Sequence, residues 1–229
     1  MKLTLIKKIK ESKDSFSFIF KSEKELLWKP GQCIFYKIPH ENPDDRGTTR
    51  PFSISSAPFE KNIMLTSKFD FEKGSSFKRA LFALKEGDMV EAFDLRGNFV
   101  IKNSKNKLVF LAGGVGITPF RSILLDLEYK RKDLEVTLFY GNKDNDIIFK
   151  DTLDKLANNH DWLNIHYILE PQFIDSDILR KHIKDLYNCF YFISGPLKMV
   201  QIMKEMLLKM NIESKNIIED YFPGYSDKK

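Results

Sequence analysis

Leu108-Val-Phe-Leu-Ala-Gly-Gly-Val-Gly-Ile-Thr-Pro119 is the stretch that decides how this chain reads. It opens as a continuous apolar run, the pattern of a strand buried on both faces of a parallel sheet. Gly113, Gly114 and Gly116 then break the run, with Val115 and Ile117 set among them. Thr118 is a good helix N-cap and Pro119 suits the first helical position. Phe120, Ile123, Leu124 and Leu127 follow at the spacing of one apolar helix face. Strand, glycine turn and helix start bring unpaired backbone N–H groups close to whatever sits above the turn, which suits a phosphate. The stretch lacks the dinucleotide fingerprint G-x-G-x-x-G. A tight loop alone also accounts for three glycines, so the rest of the chain has to decide.

Downstream, strands alternate with helices, which argues for a parallel sheet. Strands are expected over 108–112, 136–140, 165–169, 189–193 and 217–222, and helices over 120–132, 150–158, 175–185 and 197–210. In the last helix Met199, Met203, Met206 and Met210 form a stripe that reads as core packing. Ser194-Gly195-Pro196 repeats the opening logic: buried strand, small-residue turn, helix with proline near its start. Two such turns at strand C-terminal ends belong on the same sheet edge, where open α/β sheets bind ligands.

Upstream, residues 1 to about 100 read as short strands between turn signals, the pattern of a small barrel or sandwich. Phe16, Phe18 and Phe20 alternate with Ser15, Ser17 and Ile19, and Lys29-Pro-Gly31 turns into a strand over 32–38. The polar stretch from His40 to Thr49 reads as a loop. A strand at 63–67 and a short helix over 75–84 follow. Arg50-Pro51-Phe52-Ser53 places a cation, an aromatic ring and a hydroxyl on one strand. A cation pairs with a pyrophosphate, a ring covers a planar heterocycle, and a hydroxyl bonds a ring nitrogen. A surface arginine on an edge strand is the plainer alternative.

The 229 residues, 42% hydrophobic and 30% charged, suffice for one large domain or two of roughly 100 residues. No apolar run approaches the roughly 20 residues that cross a bilayer, and the charged, alternating N-terminus reads as a strand, so no membrane insertion is expected. Cys33 and Cys189 give neither a disulfide framework nor a metal-ligand spacing, and the four histidines are scattered. No metal site is expected, and a reducing cytoplasm is the expected location. The net charge of +5 without a clustered Lys/Arg tract gives no case for a nucleic-acid partner. It suits an acidic protein partner.

In this order the motifs resemble the ferredoxin–NADP reductase superfamily over nearly the whole chain. Arg50-Pro-Phe-Ser53 is similar to its R-x-Y-S flavin motif, and Pro30-Gly31-Gln32 to the turn preceding it. Gly74-Ser75-Ser76 resembles the segment that holds the flavin phosphates. Gly87-Asp88 and Gly97-Asn98-Phe99 fit the elements that close the barrel. Gly113–Pro119 is nearly the nicotinamide-cofactor loop letter for letter. Tyr140-Gly141-Asn142 and Ser194-Gly195-Pro196 match the next two cofactor-facing turns, and Glu219-Asp-Tyr-Phe-Pro-Gly-Tyr225 resembles the E-x-F-x-G-Y ending.

The resemblance implies an N-terminal antiparallel β-barrel over 1–102 that binds FAD, with FMN as the alternative. It implies a C-terminal α/β doubly wound parallel sheet over 103–229 that binds NAD(P)H. Arg50 is then near the flavin phosphates, Phe52 against the ring and Ser53 near its reactive nitrogen. The nicotinamide lies near Thr118, Ser194 and the C-terminal segment, where Glu219 or Asp220 supplies a carboxylate. Phe222 or Tyr225 covers the flavin until the nicotinamide displaces it. Lys143 as a phosphate partner and Asp144 as a ribose partner point opposite ways, which leaves NADPH against NADH open. The implied activity is hydride transfer to the flavin and onward electron transfer to an acidic ferredoxin, a flavodoxin or an oxygenase component. The alternative is a flavin-binding subunit of a larger redox complex with little activity alone.

Three departures stand out. Phe52 lacks the tyrosine hydroxyl, a loss of roughly 1 kcal/mol from one hydrogen bond. Ser194 stands where many members have cysteine. Two distant cysteines cannot hold the iron–sulfur cluster that some members add.

Overall fold

The computed structural model describes residues 1–70, 72–102, 107–131 and 134–222. By contacts the chain divides into two units, Met1–Val100 with Arg121–Lys130, and Ile101–Phe120 with Arg131–Lys229.

The first unit holds strands β1 (Lys2–Lys10), β2 (Ser15–Ser22), β3 (Cys33–Lys37), β4 (Thr49–Ser53), β5 (Ile63–Lys68) and β6 (Met89–Arg96), and helix α1 (Ser76–Ala83). They form one antiparallel sheet in the order β4-β3-β6-β1-β2-β5. Its two edge strands meet at a single bridge, Ile54 to Leu65, which curls the sheet into a half-barrel. Leu3, Leu5, Phe18, Phe20, Ile34 and Tyr36 fill the interior with Phe77 and Leu81 of α1. Each such buried aliphatic or aromatic side chain is worth roughly 1.5–3 kcal/mol. The serines that alternate with the phenylalanines of β2 are buried too: Ser17 Oγ lies 2.7 Å from Thr66 Oγ1 on β5.

The second unit carries β7 (Lys107–Gly113), the start of α2 (Thr118–Tyr129), β8 (Val136–Asn142), α3 (Lys150–Asn159), β9 (Leu163–Leu169), α4 (Ser176–His182), β10 (Cys189–Pro196), α5 (Leu197–Lys209) and β11 (Ile217–Phe222). All five strands are parallel, in the order β11-β10-β7-β8-β9. Strand order reverses at β7, so the crevice for a ligand falls between the C-terminal ends of β7 and β10. Val200, Met203 and Leu207 of α5 and Met210 at its C-cap are buried, with Met199 and Met206 packed beside them, as core packing requires.

Two local expectations are corrected. Thr118 is not an N-cap: a 3₁₀ turn over Gly114–Ile117 runs straight into α2, and Thr118 has helical φ and ψ of −56° and −50°. The helical run starts at Gly114, and Gly113, with extended φ and ψ of −132° and 119°, precedes it. The histidines are not all apart either. His166 on β9 and His182 at the end of α4 bring their rings 4.0 Å apart.

Candidate functional site

In the second unit the glycine turn and the Ser194 turn are one surface. Ala112 of β7 pairs in register with Ser194 of β10. A Cβ placed on Gly116 falls 2.2 Å from the Ser194 carbonyl oxygen and 2.7 Å from Gly195 Cα. Only a residue without a side chain lets the two turns touch. Gly114 has a different need: its φ is +51°, and a Cβ there meets nothing within 4 Å. The space over it is open. Tyr140 is fully buried, and its hydroxyl donates to the Gly114 carbonyl at 2.9 Å. Its part in the site is to hold the turn from below. Gly141 and Asn142 end β8 beside it, and the Asn142 side-chain amide donates to the Tyr140 carbonyl at 3.2 Å.

Gly114 and Val115 are half-buried, whereas Gly116, Ile117, Thr118, Pro119 and Ser194 are buried. The first N–H groups of the helical run lack helical acceptors and carry the positive end of its dipole. Ser194 Oγ is fully buried and has no hydrogen-bond partner among the described residues. A buried, unpartnered hydroxyl costs about 1–3 kcal/mol, so its retention at a ligand crevice fits a bound polar group.

The C-terminal carboxylates separate by strand alternation. Glu219 registers with Ile193, is exposed and accepts from Lys204 Nζ of α5 at 2.7 Å. Asp220 registers with Ser194, so its side chain leaves the same sheet face. The Phe222 backbone pairs in register with Pro196. Tyr225 lies outside the described residues. Lys143 is exposed beyond β8, and Asp144 Oδ1 accepts the Asp146 N–H at 3.1 Å.

In the first unit, Arg50, Pro51, Phe52 and Ser53 lie on β4, paired with β3. Alternation buries Ser53, and Phe52 stacks on Phe77 of α1 with ring centroids 5.8 Å apart. The Arg50 guanidinium sits 5.6 Å from the same Phe77 ring. Gly74 precedes Ser75, which caps α1 by accepting the Lys78 N–H at 3.2 Å. Arg50 and the start of α1 share one partner that the sequence reading missed, Asp44. Its Oδ2 accepts the Ser76 N–H at 3.0 Å, and its Oδ1 accepts from Arg50 Nη2 at 3.3 Å. The Asp44 N–H in turn donates to Ser76 Oγ at 2.8 Å. Burial opposes ionisation of Asp44. The Arg46 side chain and the N–H groups of Ser76 and Arg46 outweigh it and hold its pKa down to about 2.

These donors gather around an anion, as a phosphate site must. Lys78 adds charge: its Nζ donates to the Lys68 carbonyl at 2.7 Å, and burial beside Arg46 and Lys68 lowers its pKa to about 8. Ser55 is a further residue that sequence reasoning missed, its Oγ buried without a partner among the described residues. Neither Asp44 nor Ser55 carries a local sequence signal, since one sits in a polar loop and the other outside the matched motif. Among the described residues no group of three His, Cys, Asp or Glu is placed to hold a metal, and no helix is long and apolar enough to cross a membrane.

Residues 110–205 match the oxidoreductase NAD-binding domain family. The chain is 27% identical over 211 residues to one component polypeptide of the Na(+)-translocating NADH-quinone reductase of Idiomarina loihiensis, covering 80% of this chain and 51% of that one. It thus spans about half the length of such curated relatives. The flavohem-like FAD/NAD-binding domain of nitric oxide dioxygenase from Vibrio cholerae superposes with a TM-score of 0.84 at 21% identity, covering 96% of this chain and 98% of that one. Ferredoxin-NADP+ reductase from Plasmodium falciparum superposes with a TM-score of 0.81 at 20% identity, covering 96% and 95%. With the glycine turn at the switch point of its parallel sheet and the antiparallel half-barrel ahead of it in sequence, the chain has the two-domain fold of these FAD/NAD-binding structures, and its residues 110–205 match the oxidoreductase NAD-binding domain family.

Proposed function

We propose that this protein is an FAD-dependent NAD(P)H oxidoreductase that passes electrons to a separate acceptor. The observation that carries the reading is the contact of Gly116 with Ser194 at the switch point of the parallel sheet, beside an unpartnered Ser194 hydroxyl. Bound flavin and nicotinamide supply the redox chemistry: hydride leaves the nicotinamide as two electrons and a proton and enters the flavin. The chain's own part is positioning and exclusion of water.

In this reading residues 1–102 hold the flavin and residues 103–229 the nicotinamide. Arg50, Ser75, Ser76 and the N–H groups that open α1 bind flavin phosphate, with Phe52 against the ring and Ser53 near the reactive nitrogen. Gly114 and Val115 offer N–H groups to the nicotinamide cofactor's pyrophosphate. Ser194 Oγ orients the nicotinamide, and Asp220, on the same sheet face, is the carboxylate beside it. The exposed, lysine-paired Glu219 has no such role. The basic balance of +5 favours an acidic electron-transfer protein such as ferredoxin or flavodoxin as acceptor, in the cytoplasm. A second reading, a flavin-binding subunit within a larger redox complex, draws support from the relative's being one component of a quinone reductase that this chain half spans.

An anaerobic visible-spectrum titration of the purified protein with NADPH and then NADH tests both. The expected result is a yellow protein whose flavin band bleaches within seconds, with the faster nicotinamide deciding between Lys143 and Asp144. A yellow protein that neither nicotinamide reduces supports the subunit reading. A colourless protein that neither FAD nor FMN reconstitutes rules out both.

A further inference from the structure

Asp44 occupies the place that the flavin reading reserves for a phosphate. Its carboxylate takes the Ser76 N–H at 3.0 Å and the Arg50 guanidinium at 3.3 Å, and Arg46 adds a third donor at 3.0 Å. The Ser76 hydroxyl is engaged as well, accepting the Asp44 N–H at 2.8 Å. Ser76 and Asp44 are 32 residues apart, so this is a long-range closure and not a local turn. The carboxylate keeps its charge at any ordinary pH, with its pKa held to about 2.

A phosphate oxygen and a carboxylate oxygen ask for the same donors, and two anions cannot share them. Asp44 lies in the polar segment between Ile38 and Thr49, and that segment carries positive φ at Asn42 (49°) and Gly47 (68°). It is tied at its ends by the Ile38 N–H to the Thr48 carbonyl, 3.0 Å, while its middle crosses to α1 through Asp44. The closure is therefore a strap over the anion site, with one carboxylate as its clasp.

We propose that Asp44 is an internal stand-in for the flavin phosphate, holding Arg50 and the start of α1 in order in the flavin-free protein and leaving when a phosphorylated flavin binds. The proposal rests on the reading of Arg50, Ser75 and Ser76 as the flavin-phosphate site. It makes Asp44 a determinant of flavin affinity and of discrimination between phosphorylated and unphosphorylated flavins. The competing role for the same contacts, Asp44 as a permanent brace for Arg50, predicts the opposite sign.

The test measures binding of FAD, FMN and riboflavin to flavin-stripped protein by quenching of flavin fluorescence, for wild type, Asp44→Asn and Asp44→Ala. Folding of each is checked by circular dichroism. Removing one charge-assisted competitor corresponds to about a tenfold change in affinity. The expected result is FAD and FMN bound about tenfold more tightly by both variants, with riboflavin unchanged within about twofold. FAD binding that is unchanged or weaker in both variants overturns the proposal and supports the brace. An equal gain for riboflavin also overturns it, because competition for the phosphate donors leaves riboflavin untouched. If wild type and variants bind no flavin at all, the flavin reading falls and takes this proposal with it.

Discussion

Ser194 is where stability and function pull apart most cleanly. Its hydroxyl is fully buried and has no partner among the described residues, so without a ligand it is a net cost. Ser194→Ala removes that cost without opening a cavity of any size. Urea unfolding of the variant should give a stability equal to wild type or higher by up to about 1 kcal/mol. If Ser194 orients the nicotinamide as proposed, hydride transfer measured by stopped flow should slow by about tenfold or more, since the variant lacks that hydrogen bond. A variant that loses stability and keeps its rate would mark the hydroxyl as structural. The sequence picked out Ser194 because it precedes Gly-Pro at the end of an apolar strand. It did not choose between Glu219 and Asp220, because that choice depends on which strand β11 pairs with and in what register. The proposed preference for Asp220 comes from that pairing, which puts Asp220 in register with Ser194.

Among the elements, the parallel strands and their helices were legible to within two or three residues, helped by the small-residue turns that end β7, β8 and β10. The start of α2 was misread for a physical reason. Thr118-Pro119 has the composition of a helix entry, yet the glycines before it already accept helical geometry, so the helical run begins four residues earlier. Strand β6 carried no alternation strong enough to mark it, and five of its eight residues are exposed. The pairing of β9 with α4 adds a pH dependence that sequence spacing hides. Burial, then the nearby His182 and Lys181, lowers the His166 pKa in the folded protein. The unfolded chain therefore binds more protons below the ordinary histidine range, and stability falls as pH drops through about 6.5. Melting temperatures taken from pH 7.5 to 5.5 should show this decline, and His166→Phe should flatten it. An unchanged slope in the variant would assign the decline to other groups.

At the scale of the whole molecule, the half-barrel and the parallel sheet were both readable from the change in period near residue 105. What the sequence did not reveal is that α2 is divided. Its first turn belongs with the second unit, while Arg121–Lys130 belongs with the first. Arg121 grips Glu60 with two bonds, of 2.9 and 3.0 Å, and donates to the Ser55 carbonyl at 2.9 Å. Ser122 Oγ donates to the Ser56 carbonyl at 2.6 Å, and Tyr129 stacks on Phe59 at 4.4 Å. No local pattern in a helical segment announces partners some sixty residues upstream. A fragment of residues 1–102 lacks all of these partners. It should show a weaker near-ultraviolet circular dichroism signal and a lower urea midpoint than a fragment of residues 1–131. Arg121→Ala in the full chain should cost about 2–3 kcal/mol, since it strands a partly buried Glu60 carboxylate. Equal midpoints for the two fragments would show that the first unit stands without residues 121–130.

The divided helix also governs which hybrids of such chains survive recombination. A crossover at residue 102 sets one parent's Ser55, Ser56 and Glu60 against the other parent's Arg121 and Ser122, and only parents matched at these positions give a sound product. A crossover just beyond residue 131 leaves those pairs intact. Arg50–Ser53 and Gly113–Pro119 then come from the same parent, so the β4 motif and the glycine turn descend as one heritable block.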